Sequence, residues 1–377
     1  MKLNTVIIGG GISGICTAYH LAENNVKNIA VIEKNYLGSG STFRCATGIR
    51  ASFTSEEHIT LMKKSIELWK KLSEKHQFHY TRGGYLWLIK NKKQLEFFKK
   101  CIALQNSLGV PTRILEVEEI EKLVPRINKK DIIAAAYDPI AGKADPFEVI
   151  FKLAKACRQR GVKILTDTEA EKIIVKNGRV TGVETSKGLI ETSTVIVAAG
   201  HETRKLLGKI KIQIPLENTP HHILITERFR EAFKPLVIDW TTSSYIVQTK
   251  EGNFIMGTEI EEKPNTKPTT RIDFIPKIIK TWTKHLSWLK AVRILRYWTG
   301  YYVTSPDKHP IYGPIEEVEG LYVAAGYSGH GFMMGPITGK IITEWILNGK
   351  PSIPQAEKLT LKRIRENKLI KEIAVIG

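Results

Sequence analysis

Apolar positions near the start of the chain come in two short, almost unbroken runs, residues 4–8 (N-T-V-I-I) and 28–33 (N-I-A-V-I-E). Runs of that length without polar alternation suit parallel strands buried on both faces. Between them, residues 9–14 predict a glycine turn and 15–25 a helix, giving a β-turn-α-β unit. The spacing then lengthens. Ile59, Met62, Ile66, Trp69 and Leu72 make one stripe of an amphipathic helix over 56–75. A strand-like run at 84–89 (G-Y-L-W-L-I) leads to a Lys-rich amphipathic helix over 92–108. A further helix over 145–160 has Pro146 near its first turn. From 162 to 197 short β segments alternate and close on T-V-I-V-A-A-G at 194–200. Residues 215–300 read as strands and loops with many aromatics. A buried strand over 321–326 again ends in glycine, 334–347 reads as helix, and the tail after Lys350 is basic and amphipathic. Its residues 358–371 suit a docking helix or a solvated one.

These elements interleave. Units of βα type at 1–75, 145–210 and 300–377 are interrupted by 76–144 and 211–299, which predicts an α/β fold of one discontinuous domain with a second domain built over it. The 377 residues, 42% hydrophobic and 25% charged, exclude disorder, collagen and coiled coil. The formal charge of +19 favours anionic partners without choosing among them, and the basic residues are spread along the chain as a solvated surface would need. Four cysteines (Cys16, Cys45, Cys101, Cys157) with no C-x-x-C predict neither a disulfide framework nor structural zinc, so no metal site is expected and the cytoplasm is the default. Residues 6–22 after Lys2 imitate a signal peptide, but five of their first nine are Gly or Ser, which suits a turn better. No run reaches the ~20 apolar residues of a membrane span.

The chemistry starts at G-x-G-x-x-G, Gly9, Gly11 and Gly14. Alone the pattern is weak. Here it follows an apolar strand, opens a helix, and precedes an acid, Glu33, that ends the next strand. Glycines let the backbone approach a pyrophosphate at a helix N-terminus, and Glu33 can accept both hydroxyls of an adenosine ribose. The alternatives are an empty βαβ unit and a solvated strand-end acid. A loop at 38–42 (G-S-G-S-T) could wrap a second phosphate or a ribityl chain. Two far strands end in A-A-G, at 198–200 and 324–326, and the second runs into Y-S-G-H-G-F. Gly326, Gly329 and Gly331 allow backbone to press on a flat ring, and the helix starting near Met334 aims its positive end there, which favours an electron-accepting flavin over a nicotinamide.

In these segments the chain resembles the FAD-dependent amino-acid and amine oxidoreductases of the D-amino-acid oxidase superfamily, on the branch of the sarcosine oxidase β and dye-linked L-proline dehydrogenase β subunits. V-I-I-G-G-G-I-S-G at 6–14, G-S-G-S-T-F-R-C-A-T-G-I-R at 38–50, A-D-P at 144–146, V-A-A-G at 197–200, T-S-P-D-K-H-P-I-Y-G at 304–313 and A-A-G-Y-S-G-H-G-F at 324–332 carry the likeness. It implies a Rossmann-like FAD domain of the glutathione-reductase type, interrupted by a mixed-sheet substrate domain. It places Gly9, Gly11, Ile12, Ser13, Gly14, Glu33 and Lys34 at the AMP half of FAD, with a backbone clamp near Val175. Ser41, Thr42, Arg44, Cys45, Ala46 and Thr47 belong to the flavin-side loop. Ala199, Gly200, Gly300, Gly329, His330, Gly331, Phe332 and Met333 belong to the ring. Arg50 falls where relatives hold a substrate carboxylate, and a surface ion pair is its alternative. His330, Tyr301 and Tyr302 are the other catalytic candidates, with ring packing or capping as the alternative for His330. Tyr245, Trp240 and Trp298 stand as pocket wall or as core.

Some departures carry information. Gly300 occupies the place of a FAD-attaching Cys, so the FAD is expected to be noncovalent. Ala144 stands where heterotetrameric sarcosine oxidases have a His that attaches FMN, so no covalent FMN is expected. Met333 replaces a Lys of the monomeric sarcosine oxidases, favouring the β-subunit branch. Cys45 suits a small buried thiol better than a reactive one. The implied reaction is oxidation of a secondary amine or amino acid, of L-proline or sarcosine type, to an imine. Competing readings are a D-amino acid, glycine or 2-hydroxy acid substrate, or an assembly and electron-relay subunit. Other subunits, in a hetero- or homo-oligomer, are the expected partners, with a second flavin or partner-borne carrier at an interface left open. Nucleic acid is not expected, and membrane association, if any, is peripheral and through partners.

Overall fold

The structure, a computed structural model, describes residues 1–375. The two apolar runs form adjacent parallel strands, Thr5–Ile8 and Ile29–Ile32, every residue of both buried. They sit inside a six-stranded sheet. Lys163–Leu165 extends it beyond Ile29–Ile32, Thr194–Val197 and then Leu321–Ala325 extend it on the other side, and only the edge strand Ile311–Pro314 runs antiparallel. An antiparallel meander, Ala170–Lys176, Arg179–Thr185 and Gly188–Glu191, is inserted between two of the parallel strands.

Helix Ile12–Glu23 crosses the final long helix, Gly331–Asn348, at backbone contact. A Cβ on Gly335 would meet the Ile12 side chain at 2.3 Å, and one on Gly339 the Cys16 carbonyl oxygen at 2.4 Å. The pair Gly335 and Gly339, one helical turn apart, therefore sets how close the two helices lie. This helix starts three residues before the sequence pattern indicated, because Gly331–Met333 carry no apolar period yet close its first turn.

An eight-stranded sheet is assembled from two distant stretches. Tyr85–Ile89, Ala134–Asp138 and Arg113–Leu115 come from the first, and Glu217–Arg228, Leu236–Asp239, Ser244–Gln248, Asn253–Thr258 and Ile294–Thr304 from the second. They meet at the parallel pair Tyr85–Ile89 and Leu236–Asp239; every other pairing is antiparallel. Alternation along its strands separates two faces. Tyr85, Trp87, Ile89, Ile238 and Tyr245 join the core shared with helices Ile12–Glu23 and Glu56–His76. Leu86, Leu88, Val237 and Ile246 pack under Phe274, Ile278 and Trp282.

Those last three residues lie on helix Phe274–His285, in a stretch that reads as strands and loops from sequence. Pro276 and the density of β-branched residues hide the helix. Pro276 falls within its first turn, where an amide N–H has no intrahelical acceptor, and packing on the sheet outweighs local propensity. The tail is also corrected. Among the described residues beyond 350, only Pro354–Glu357 and Leu361–Arg365 are helical, and residues 366–375 fold back onto their own chain rather than forming a docking helix. Buried Arg363 pairs with Asp307 through Nε (2.8 Å) and Nη2 (2.9 Å), and buried Glu372 accepts the Ser55 amide (3.0 Å). No helix among the described residues is long and apolar enough to cross a membrane.

Candidate active site

A cavity of about 710 Å³ lies where the first strand, the glycine-ended strands and the larger sheet converge. Gly9 opens it with φ +112°, and a Cβ there would stand 2.3 Å from the Ala198 carbonyl oxygen, so no other residue fits. Gly11 caps helix Ile12–Glu23 without a side-chain bond. Thr42 Oγ1 accepts the Ile12 amide (3.1 Å), and the neighbouring first-turn N–H groups face the cavity. Glu33 is held by the amides of Gly10 (2.8 Å) and Asn35 (2.9 Å) and lines the same wall. Lys34 pairs with Glu202 across the rim (3.1 Å).

Arg44 ties its loop down by donating to the Gly40 carbonyl (2.8 Å) and to that of Ser39. Ser41 Oγ donates to the Tyr301 carbonyl (2.9 Å), which joins the loop to the larger sheet. Cys45 is half-buried, and burial pushes its thiol up to about 12, so it is protonated at neutral pH. Thr47, with φ +64°, and Ala46 line the cavity beside it. On the far side His330 caps helix Gly331–Asn348, again with no side-chain bond, and Gly331, Phe332 and Met333 present that helix's first turn to the same space. Gly300 approaches Arg44, and Gly329 lies under Tyr302, where a Cβ would be 2.4 Å from the ring.

Arg50 is 3% exposed and marks the closed end. Its guanidinium lies 3.7 Å over Phe53 and 4.9 Å from Trp87. Nη1 donates to the Ser52 carbonyl (2.6 Å), and Nη2 to that of Ala374. Nη2 also faces His330 Nε2 at 3.4 Å. A guanidinium has only donors, so His330 Nε2 accepts and Nδ1 carries the ring proton. Burial, then Arg50, holds His330 well below the usual histidine range and therefore neutral. Burial brings Arg50 down to about 10, with Tyr85, Glu372 and Asp138 opposing, so it stays charged at neutral pH. Among the described residues, Nε–H and one Nη1–H remain for a ligand.

Most residues expected from the sequence line this cavity: Gly9, Gly11, Ile12, Ser13, Glu33, Lys34, Ser41, Thr42, Arg44–Thr47, Ala199, Gly200, Gly300–Tyr302 and Gly329–Met333. Gly14 lies beneath Gly9, whose carbonyl oxygen a Cβ would meet at 1.9 Å. Val175 is elsewhere, packed on the far core, and the wall in that quarter is Thr168, Glu169 and Ala170. Tyr301 and Tyr302 separate because successive strand residues face opposite ways. The Tyr301 hydroxyl donates to the Thr266 carbonyl (2.7 Å), whereas Tyr302 stacks on His221 (3.7 Å) toward Arg50. Tyr245 and Trp298 are wall; Trp240 is core, stacked on Phe97 at 5.6 Å. Tyr85, His221, Ile223, Leu236 and Ile238 complete the far end and had no local sequence signal. Burial raises Tyr85, Tyr245 and Tyr302 above the usual range, so their hydroxyls stay protonated.

Two helix N-termini whose cap residues make no side-chain bond meet at one cavity with a buried cation beyond them, the architecture of a dinucleotide-dependent oxidoreductase. The family described as FAD dependent oxidoreductase (DAO) matches residues 4–345, and this chain belongs to it. Sarcosine oxidase subunit beta of Rhodobacter capsulatus is 26% identical over 384 residues, covering 100% of this chain and 92% of that protein. Human mitochondrial dimethylglycine dehydrogenase is 27% identical over 376 residues, but the chain spans 43% of its length. Among solved structures, L-proline dehydrogenase from P. horikoshii superimposes with a TM-score of 0.95 at 39% identity, covering 98% of this chain and 99% of that one. Glycine oxidase from Bacillus cereus, with a TM-score of 0.84 at 24% identity, shares the fold. The chain is thus an FAD-dependent oxidoreductase whose relatives act on amine and amino-acid donors.

The cavity fits FAD on its own evidence. Gly9 and Gly14 pack so tightly, with a Cβ meeting the Ala198 and Gly9 carbonyl oxygens at 2.3 and 1.9 Å, that the strand and helix close on one another, and the N-terminus of helix Ile12–Glu23, with no side-chain bond from its cap residue, suits a pyrophosphate.

Proposed function

We propose that the chain oxidises a small secondary amino acid, of L-proline or sarcosine type, at the C–H next to nitrogen, giving an imine. The observation that carries this reading is Arg50, a buried cation lining the same cavity as Ile223, Leu236, Ile238 and tyrosine rings. Such a lining takes a carboxylate on a compact apolar body. The likeness to L-proline dehydrogenase supports the cyclic amino acid first.

In this reading Gly9, Gly11, Ile12 and Ser13 hold the pyrophosphate, Glu33 and Lys34 the ribose, and Thr168–Ala170 the adenine. The Ser41–Thr47 loop, Gly300 and Gly329–Met333 hold the flavin. Bound there, FAD supplies the acceptor for the hydride. Arg50 orients the substrate through its carboxylate, with Tyr302, Tyr245 and Tyr85 hydroxyls as further donors. Orientation supplies much of the rate, because the reacting C–H has to be held at ~3–3.5 Å from its acceptor. The substrate amine enters neutral, its lone pair forms the C=N bond, and no strong base is needed. Neutral His330 positions Arg50. FAD is held noncovalently, since glycine stands at position 300.

A second reading, a β-type subunit passing electrons to a partner, rests on the exposed aromatics Tyr36, Phe147 and Phe151 grouped around Phe43 beside the flavin-side loop. Free cysteines suit a cytoplasmic setting. Anaerobic addition of L-proline to the yellow protein should bleach its ~450 nm band, with sarcosine slower. Bleaching by D-amino acids, glycine or 2-hydroxy acids alone refutes the substrate class, and no bleaching by any of them moves the reading to the relay subunit.

A further inference from the structure

Behind the cavity, three buried groups come together that the oxidation does not use. His58, on helix Glu56–His76, is 0% exposed, and neither of its ring nitrogens has a hydrogen-bond partner. Leaving two buried polar atoms without a partner is costly, so a ligand for them is called for. Its ring is stacked on Phe53 at 4.4 Å and lies 4.5 Å from the ring of His309. Donor atoms of His58, His309 and Glu372 all fall within 4.8 Å of one another.

We propose that His58, His309 and Glu372 bind a divalent transition-metal ion of zinc type, with Ser55 Oγ as the fourth donor. The donor set N, N, O, O is one that zinc accepts in tetrahedral geometry. His309 and Glu372 are already oriented by second partners, as metal ligands generally are, and the ring of His58 is held by its stack on Phe53. His309 Nδ1 faces the Asp307 carbonyl oxygen at 3.2 Å, which turns Nε2 toward the group. Glu372 is held by the amides of Ser55 (3.0 Å) and Ala374 (2.8 Å) and by the Thr54 hydroxyl (2.6 Å). Ser55 Oγ lies 2.9 Å from His309 Nε2 and 2.8 Å from Glu372, contacts that binding an ion would replace with bonds to the ion. The nearby Arg363 is already matched by Asp307, leaving Glu372 to offset the ion. The ion would clip the folded-back tail to the helix start and to the loop bearing His309. His330, a cavity residue, has its ring 5.2 Å from that of His58.

The test is the metal content of the FAD-loaded protein, purified without chelator and measured by plasma mass spectrometry. About one zinc-type ion per chain is expected. Chelator treatment should lower Tm, and added Zn²⁺ should restore it. His58→Phe, which keeps the stack on Phe53, and Glu372→Gln should each lose the ion and the Tm response. Should either variant fail to fold, the chelator and Zn²⁺ titration of the wild-type chain decides alone. Content below a tenth of an equivalent, with no Tm change on adding Zn²⁺, overturns the proposal and leaves buried water as the partner of His58. Flavin bleaching by amino acids is scored separately and bears on the substrate reading only.

Discussion

Removing the guanidinium at position 50 is the sharpest test of the substrate reading. Arg50 is 3% exposed, so a bound carboxylate facing it is out of water and depends on the Nε and Nη1 donors. Losing one side of a buried, charge-assisted pair costs about 2–4 kcal/mol, which is roughly 30- to 1,000-fold in affinity. Arg50→Ala should weaken acidic substrates by that factor. Arg50→Lys keeps the charge but not the fork, and should fall between, with a loss of about tenfold. Both variants also lose the stack on Phe53 and the bonds to the Ser52 and Ala374 carbonyls, so Tm should drop. Affinity therefore has to be measured well below the transition, by anaerobic titration of the flavin band with L-proline and with pyrrolidine, which lacks the carboxylate. The argument requires L-proline to lose affinity while pyrrolidine does not. Unchanged half-saturation by L-proline in Arg50→Ala, with flavin content intact, refutes it.

Gly9→Ala should abolish FAD retention, read as the flavin-to-protein ratio after gel filtration, because the Cβ meets the Ala198 carbonyl oxygen at 2.3 Å and the backbone has φ +112°. Gly339→Ala should lower stability by about 1–3 kcal/mol in denaturant melts, since its Cβ would lie 2.4 Å from the Cys16 carbonyl oxygen on the neighbouring helix. Cys45 should resist iodoacetamide at pH 8 in the native protein, because its thiol, pushed up to about 12 by burial, stays protonated. Rapid labelling, mapped by peptide mass spectrometry, would contradict this. Asp239 should contribute to acid unfolding. Burial opposes its ionisation, but His285 and Lys90 prevail and bring it down from 3.8 to about 2. A depressed carboxylate stabilises the fold above its unfolded value and loses that contribution as pH falls from about 4 to 2. Asp239→Asn should flatten the Tm profile over that window.

How much could be read without coordinates depended on whether the signal was local. Strands Thr5–Ile8 and Ile29–Ile32, the turn between them and Glu33 at the second strand's end were all legible, because a buried parallel strand and a glycine turn write their requirements into adjacent residues. Helix Phe274–His285 was not, because Pro276 and β-branched residues masked a period that only packing on the sheet made decisive. Val175 shows the same limit. The sequence indicated that a strand near it would flank the adenine side, but Thr168–Ala170 form the wall, and residues a few positions apart on one segment can face different volumes. His58 carried no motif at all. Its interest comes from two unpartnered nitrogens beside His309 and Glu372, residues more than two hundred positions away in the chain.

By itself the amino-acid order determined the nucleotide unit and the glycines of its turn, since each rests on backbone conformation within a few residues, whereas Arg50 was singled out through likeness to a family and its burial came only with the fold. The tertiary structure alone decided which tyrosine faces Arg50, which helix stretch lies against Cys16, and where residues 366–375 pack. Those are questions of which surfaces meet, and the parallel pairing of Tyr85–Ile89 with Leu236–Asp239 joins stretches whose local patterns contain nothing about each other.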